Sequence, residues 1–223
     1  MQITKKMVEN LLDGSMAASN PTVEEAISFT RKAAQYDFAG ILASAYFIRF
    51  VSPIAHEAGR KIVTVIDYPM GGADNEIRLE ASRNAFADGA DELDVSINIS
   101  AFFAEDYHTV SDEIKQVLNL AEGRLVKFIY FAALLSPDQQ LKAAEICLKA
   151  GAEFLKTNTG HGTKSTPEEV RLIKSRFGDD IKVMVSGGVR TGEDARKMIL
   201  AGCDRIATSA PFQILDTFQE VNK

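Results

Sequence analysis

Short apolar runs alternate along the chain with longer stretches in which apolar residues recur every three to four positions. The runs lie at 11–13, 40–44, 62–67, 92–97, 125–131, 154–157, 181–185 and 205–208. Runs this short and apolar predict strands buried within a fold. The stretches between them predict helices, as where Leu141, Ala144 and Leu148 fall on one face.

The joints between these elements repeat. Ala87-Asp88-Gly89-Ala90-Asp91-Glu92-Leu93-Asp94-Val95, Lys149-Ala150-Gly151-Ala152-Glu153-Phe154-Leu155 and Leu200-Ala201-Gly202-Cys203-Asp204-Arg205-Ile206 share one order. A helix ends on a glycine suited to the left-handed cap, a small residue and an acid follow, and an apolar strand starts. Helix starts repeat too. Thr22 precedes Glu25, Thr166 precedes Pro167 and Glu169, and Thr191 precedes Asp194, each pairing a hydroxyl that accepts an orphan N–H with a carboxylate suited to the positive helix end.

Eight strands alternating with helices predict an α/β fold, a closed (β/α)8 barrel formed by one domain over residues 1–223. An open doubly wound sheet fits less well, because no Gly-x-Gly-x-x-Gly turn follows an early strand.

Composition narrows the function. The formal charge of −6, with no basic run, argues against nucleic-acid binding and leaves small phosphorylated metabolites as candidates. The apolar stretches are too short to span a membrane. The start, Met1-Gln2-Ile3-Thr4-Lys5-Lys6, has no apolar signal core, so a cytoplasmic protein is expected. Cys147 and Cys203 form no disulfide framework and are expected as reduced core thiols, while His56, His108 and His161 have no metal-ligand spacing.

In such a barrel the chemistry collects at the C-terminal ends of the strands. Asp13, Ser44, Asp67, Asp94, Asn98, Lys127, Lys156, Met184 and Ser186 are the residues expected there. Lys156 closes an apolar run, where a lysine is costly unless neutral or paired, and a neutral amine is a nucleophile toward carbonyls. Taken alone, the segment also fits a lysine whose stem lines the core and whose ammonium reaches water. Asp94 and Ser96 share one strand face, either inward near that lysine or outward against a helix. Ser186-Gly187-Gly188-Val189-Arg190-Thr191 follows the seventh strand and runs into a capped helix, a setting that favours an anion. Thr208-Ser209-Ala210-Pro211 adds hydroxyls after the eighth.

Over nearly its whole length the chain resembles the 2-deoxyribose-5-phosphate aldolase family of class I aldolases. The resemblance is carried by Ala90-Asp91-Glu92-Leu93-Asp94, Phe154-Leu155-Lys156-Thr157-Asn158-Thr159-Gly160 and Ser186-Gly187-Gly188-Val189-Arg190-Thr191. It implies Lys156 as the Schiff-base lysine and Asp94 as the acid that moves protons through a water. Lys127 is then a lysine close to the centre, and Gly160, Gly187, Gly188 and Ser209 form a phosphate cradle. The implied substrate is a phosphorylated deoxy-sugar aldehyde, with no metal or organic cofactor, and the implied assembly is a homodimer.

The chain also departs from that family. Met184 stands where the family has a second lysine on the seventh strand. Lys182 is two residues earlier on the same face, an imperfect stand-in roughly 6.6 Å down the barrel. Phe131 replaces an acid of the fifth strand. Asp13-Gly14-Ser15 and Ala43-Ser44-Ala45-Tyr46 differ from the family's first- and second-strand motifs, and the C-terminal tyrosine is absent from Val221-Asn222-Lys223. The expected compensation is desolvation by Met184 and Phe131 plus charge from Lys127. Other readings are a changed substrate, a carboxylate-based isomerase using Asp13, Asp67 and Asp94, or a non-catalytic phosphosugar-binding barrel. The segment Tyr68-Pro69-Met70-Gly71-Gly72-Ala73 is expected as a flexible loop over the site, and Phe102 and Phe103 as core or pocket wall.

Overall fold

In the computed structural model, which describes residues 2–16 and 21–220, eight parallel strands close into one barrel. The strands are β1 (Leu12–Ser15), β2 (Gly40–Ser44), β3 (Ile62–Ile66), β4 (Glu92–Ser96), β5 (Val126–Ile129), β6 (Phe154–Lys156), β7 (Lys182–Ser186) and β8 (Arg205–Thr208). Helices α1 (Lys5–Leu11), α2 (Val23–Ala33), α3 (Ile48–Glu57), α4 (Asn75–Ala87), α5 (Ile99–Phe103), α6 (Tyr107–Ala121), α7 (Pro137–Ala150), α8 (Pro167–Phe177), α9 (Gly192–Ala201) and α10 (Pro211–Thr217) surround it. The expected (β/α)8 architecture is the one observed.

The local signals act as read. Gly151 and Gly202 cap α7 and α9 in the left-handed region, and Gly89 turns the chain after α4 with φ 103°. Thr22, Thr166 and Thr191 each accept from the backbone N–H three residues on, and Glu25, Glu169 and Asp194 return the bond. Strand ends differ where the chain turns early. Leu11 completes α1, so β1 begins at Leu12. β3 stops at Ile66 and β5 at Ile129, because Asp67 (φ 53°) and Phe131 (φ 57°) are left-handed and cannot extend a strand. β7 is displaced one residue, to Ser186. Of the two phenylalanines in α5, Phe102 is core, whereas Phe103 is half exposed. The C-terminal residues Val221–Lys223 lie outside the described residues.

The barrel divides its side chains by alternation. Leu12, Ile41, Ile62, Leu93, Val95, Val126, Phe128, Leu155, Val183 and Ile206 join the helices in the main apolar core. Two small apolar clusters sit apart from it: Leu42, Val63 and Val65, with Tyr68 packed on them, and Phe154, Met184 and Ala207, with Leu125. Charged residues share the barrel with these clusters. Arg205, the first residue of β8, donates to Asp13 (2.6 Å) and contacts Glu92 (2.9 Å). Lys61 approaches Glu92 from solvent at 3.2 Å.

Gly40 makes room for this group. A Cβ there would stand 2.6 Å from Val63 Cγ2, 2.8 Å from Arg205 Nη2 and 3.1 Å from Asp13 Oδ1. Gly40→Ala is expected to destabilise the fold by about 1–3 kcal/mol through overpacking. Gly72→Ala, with nothing within 4 Å of its Cβ, should change stability by less than about 1 kcal/mol. Urea denaturation of both variants checks the contrast, and equal effects would refute the packing argument.

Candidate active site

Lys156 ends β6, and Asp94 lies mid-strand in β4. Lys156 Nζ donates to Asp94 Oδ2 at 2.6 Å, and Lys127 Nζ donates to Asp94 Oδ1 at 3.0 Å. Lys127 also reaches Glu92 at 2.8 Å. Lys127 and Asp94 are fully buried, and Lys156 is 2% exposed. Asp94 therefore faces inward, with one oxygen for each lysine. The chain of contacts runs from Lys156 through Asp94, Lys127, Glu92 and Arg205 to Asp13, and burial pushes the Asp13 carboxyl up against the pull of Arg205 and Lys127.

The electrostatics follow from this geometry. Burial pushes the Asp94 carboxyl up, but Lys127 and Lys156 together outweigh it and hold the group at about 2. Burial and Arg205 push Lys127 down, yet Asp94, Asp13 and Glu92 prevail and hold its ammonium above the usual lysine value. The carboxylates around Lys127 thus favour its charged form. Glu92 is also held low: its burial is outweighed by Lys127, Arg205 and Lys61.

Lys156 opens into a cavity lined by Ser15, Leu42, Val65, Tyr68, Thr159, Gly160 and the Ser186–Arg190 and Ala207–Ser209 turns. Gly160, Gly187, Gly188 and Ser209 are thereby brought together with Lys156. Gly187 (φ 101°) has to be a glycine, since a Cβ would lie 2.8 Å from the Thr163 carbonyl oxygen and 3.1 Å from Gly160 Cα. Among the described residues the backbone N–H groups of Gly187, Gly188 and Ser209 have no protein acceptor. The turn is fixed from beneath: Thr208 Oγ1 donates to the Val189 carbonyl (2.7 Å) and accepts from Ala210 N–H (3.0 Å).

The residues after Lys156 are scaffold. Thr157 Oγ1 accepts from Ser186 N–H at 3.1 Å and pairs with Ser165 Oγ at 2.6 Å. Asn158 accepts from Ala133 N–H (3.0 Å) and donates to Ser165 (3.1 Å). They join the loops after β5, β6 and β7, which keeps the lysine and the glycine turn in register.

Several expected site residues lie elsewhere. Asp13 is sealed against Arg205 within the barrel. Asp67 turns away from the cavity to Arg78 at 2.8 Å and to the Gly72 and Ala73 N–H groups. Asn98 caps α5 and donates to Glu113. These placements leave no pair of cavity carboxylates for an isomerase. Ser44 lies outside the cavity lining, whereas Ser186 is in it. Lys182 is exposed and pairs with Glu153 at 2.6 Å, so it does not stand in for a second lysine. Met184 pairs in register with Lys156 and is fully buried. Phe131 does not line the cavity. Its ring packs near Gly71, where a Cβ would meet it at 3.1 Å. The Tyr68–Ala73 segment, expected to be flexible, is tied down around the Asp67 carboxylate.

Tyr68 and Arg190 are expected only as parts of the loop after β3 and the turn after β7, and Glu92 and Arg205 are not singled out by the sequence. Period-two alternation puts Glu92 on the face of Asp94, whereas nothing local distinguishes Arg205. Among the described residues no group of three or more His, Cys, Asp and Glu is placed to hold a metal ion. Cys147 and Cys203 are free and buried, and burial pushes both thiols up to about 12.

The model of the DeoC/LacD family aldolases matches residues 11–207. The chain belongs to the DeoC/LacD aldolase family. A deoxyribose-phosphate aldolase of Caldicellulosiruptor saccharolyticus is 34% identical over 217 residues, covering 96% of this chain and 99% of that one. The solved aldolase QR15 superposes with a TM-score of 0.90 at 35% identity, covering 95% of each chain. A tetrameric deoxyribose phosphate aldolase from Aeropyrum pernix has a TM-score of 0.90 at 29% identity, covering 96% of this chain and 92% of that one. No helix among the described residues is long and apolar enough to cross a membrane.

The site makes stability depend on pH. The folded Asp94 value of about 2 lies below the usual 3.8, so the folded state binds fewer protons. Its stabilisation is fully present above about pH 5 and lost as pH falls through about 2. The stability difference between wild type and Asp94→Asn should narrow by about 2 kcal/mol over that interval. Urea denaturation at several pH values measures it, and a pH-independent difference would contradict the ionised assignment.

Proposed function

We propose that the chain is a class I aldolase that cleaves 2-deoxyribose 5-phosphate, or a closely related deoxy-sugar phosphate, to glyceraldehyde 3-phosphate and acetaldehyde. The observation that carries this reading is the buried Lys156–Asp94 contact of 2.6 Å, made by the lysine that lines one cavity together with the double-glycine turn. Membership of an aldolase family and the names of its relatives support it.

In this reading Lys156 Nζ adds to the aldehyde carbon of the open-chain sugar. Loss of water from the carbinolamine leaves an iminium. Removal of the C3 hydroxyl proton then breaks the C2–C3 bond, and its electrons flow to the iminium nitrogen, giving an enamine. Protonation at C2 and hydrolysis release acetaldehyde and regenerate the amine. Asp94 stays ionised across the working pH range, so it orients Lys156 and balances the iminium charge while a water carries protons. Lys127 is the fixed cation on the opposite oxygen of Asp94, in the role that the family resemblance gives to a second lysine, since Met184 carries no charge. The substrate phosphate is held by the N–H groups of Gly187, Gly188 and Ser209, at the mouth of capped α9 and beside Gly160. Arg190 supplies a guanidinium at the rim. The homodimer implied by the resemblance is retained within this proposal.

Reductive trapping tests it. Incubation with 2-deoxyribose 5-phosphate and borohydride should add mass to the Lys156 peptide and abolish turnover, and Lys156→Ala should show neither adduct nor activity above background. Turnover surviving in Lys156→Ala would overturn the Schiff-base assignment.

A further inference from the structure

Tyr68 belongs to no element of the chemistry above, yet it stands in the cavity with Lys156. It lies two residues past the end of β3, next to Asp67, on which the following segment closes. The Asp67 carboxylate accepts from Gly72 and Ala73 N–H (3.1 Å each), and its carbonyl accepts from Gly71 N–H (3.0 Å). Arg78, 2% exposed, clamps that carboxylate at 2.8 Å and Glu113 at 2.7 Å. The base of the segment is thus tied into α4 and α6, which gives Tyr68 a firm mounting.

From that mounting Tyr68 reaches across the barrel mouth to the loop after β6. Its hydroxyl donates to the Thr159 carbonyl at 2.8 Å. Its ring meets His161 edge-on, with centroids 5.2 Å apart. The residue between these two contacts is Gly160. A Cβ at Gly160 would lie 3.6 Å from Gly187 Cα, so the Gly160 turn rests directly on the double-glycine turn. Thr159 Oγ1 accepts from His161 N–H at 3.3 Å, which folds the turn on itself. The phenol bond is therefore the strut that fixes the height of Gly160 above the cavity, measured from the β3 side.

We propose that Tyr68 is a positioning residue that sets the distance between Lys156 and the anion-binding turn, and so selects substrates by the separation of their aldehyde and phosphate groups. This rests on the phosphate reading given above. The phenol does not titrate in the working range, since burial first and Asp94 second push it up to about 12. It acts as a neutral donor to a backbone carbonyl and takes no proton from the substrate. Its hydrogen bond is the feature that phenylalanine would lack, with ring packing on Leu42, Val63 and Val65 kept.

The test is Tyr68→Phe beside wild type. Loss of one neutral hydrogen bond should weaken phosphate-end binding roughly 3- to 10-fold. KM for 2-deoxyribose 5-phosphate should rise by that factor with kcat little changed, and the dissociation constant of inorganic phosphate, measured by calorimetry, should rise in parallel. Turnover of unphosphorylated 2-deoxyribose should stay at the wild-type level, so the preference for the phosphorylated sugar falls. His161→Ala, which removes the ring contact and leaves the hydrogen bond, should produce a smaller shift in the same direction. Equal losses on both sugars, or an unchanged phosphate affinity in Tyr68→Phe, would overturn the proposal. Failure of wild type to bind phosphate would instead refute the anion site on which it rests, and the two failures are read from different proteins.

Discussion

The organising constraint is the row of alternating charges sealed inside the barrel. Asp13, Glu92 and Asp94 face Arg205, Lys127 and Lys156, three carboxylates against three cations. None of these groups can be removed singly without leaving an uncompensated buried charge, a defect of about 3–5 kcal/mol. Stability alone does not require the row, since well-packed apolar residues often replace buried ion pairs at no loss. What it provides is charge held in fixed positions beside the cavity that Lys156 lines, a preorganised arrangement of the kind that stabilises developing charge. Lys156 is the member of the row that reaches the cavity; the others hold its partner.

That arrangement puts Met184 beside Lys156 and a buried cation, Lys127, on the other oxygen of Asp94. A methionine contributes desolvation but no field. The positive charge comes from Lys127, on the neighbouring strand to β4 and tied to the opposite oxygen of Asp94. Asp94 first, then Asp13 and Glu92, favour the Lys127 ammonium against its burial. Electrostatic support is thus supplied from below and to one side rather than from across β7.

The rim works on a different principle, close backbone approach. Gly160 and Gly187 touch because neither has a side chain, and Thr157, Asn158, Ser165 and Thr208 bind the loops around them with hydrogen bonds. The motif that begins with Lys156 is therefore a cavity-lining lysine followed by two residues that bind the neighbouring loops together. The segment after β3 completes the rim from the far side, anchored by Asp67 and Arg78 and joined to it through Tyr68.

Much of this was readable along the chain. Helix caps at Thr22, Thr166 and Thr191, and the glycines at 89, 151 and 202, act through contacts within a few residues, so their signals are local and the element order followed from them. Lys156 and the double-glycine turn are legible for the same reason, an apolar strand ending in a lysine or in small residues. The inward direction of Asp94 was left open by alternation, which allows two faces, and barrel closure chose between them. Strand ends at Asp67 and Phe131 were misplaced because apolar or acidic identity does not reveal a left-handed turn. The partnership of residues 13, 92, 94, 127, 156 and 205 belongs to the tertiary structure alone. Those residues come from five strands, and their contacts depend on how closure sets neighbouring strands in register. The same reason put Lys182 outside and Tyr68 across the mouth: the distance between two side chains in a barrel is fixed by the strands between them, which no local pattern records.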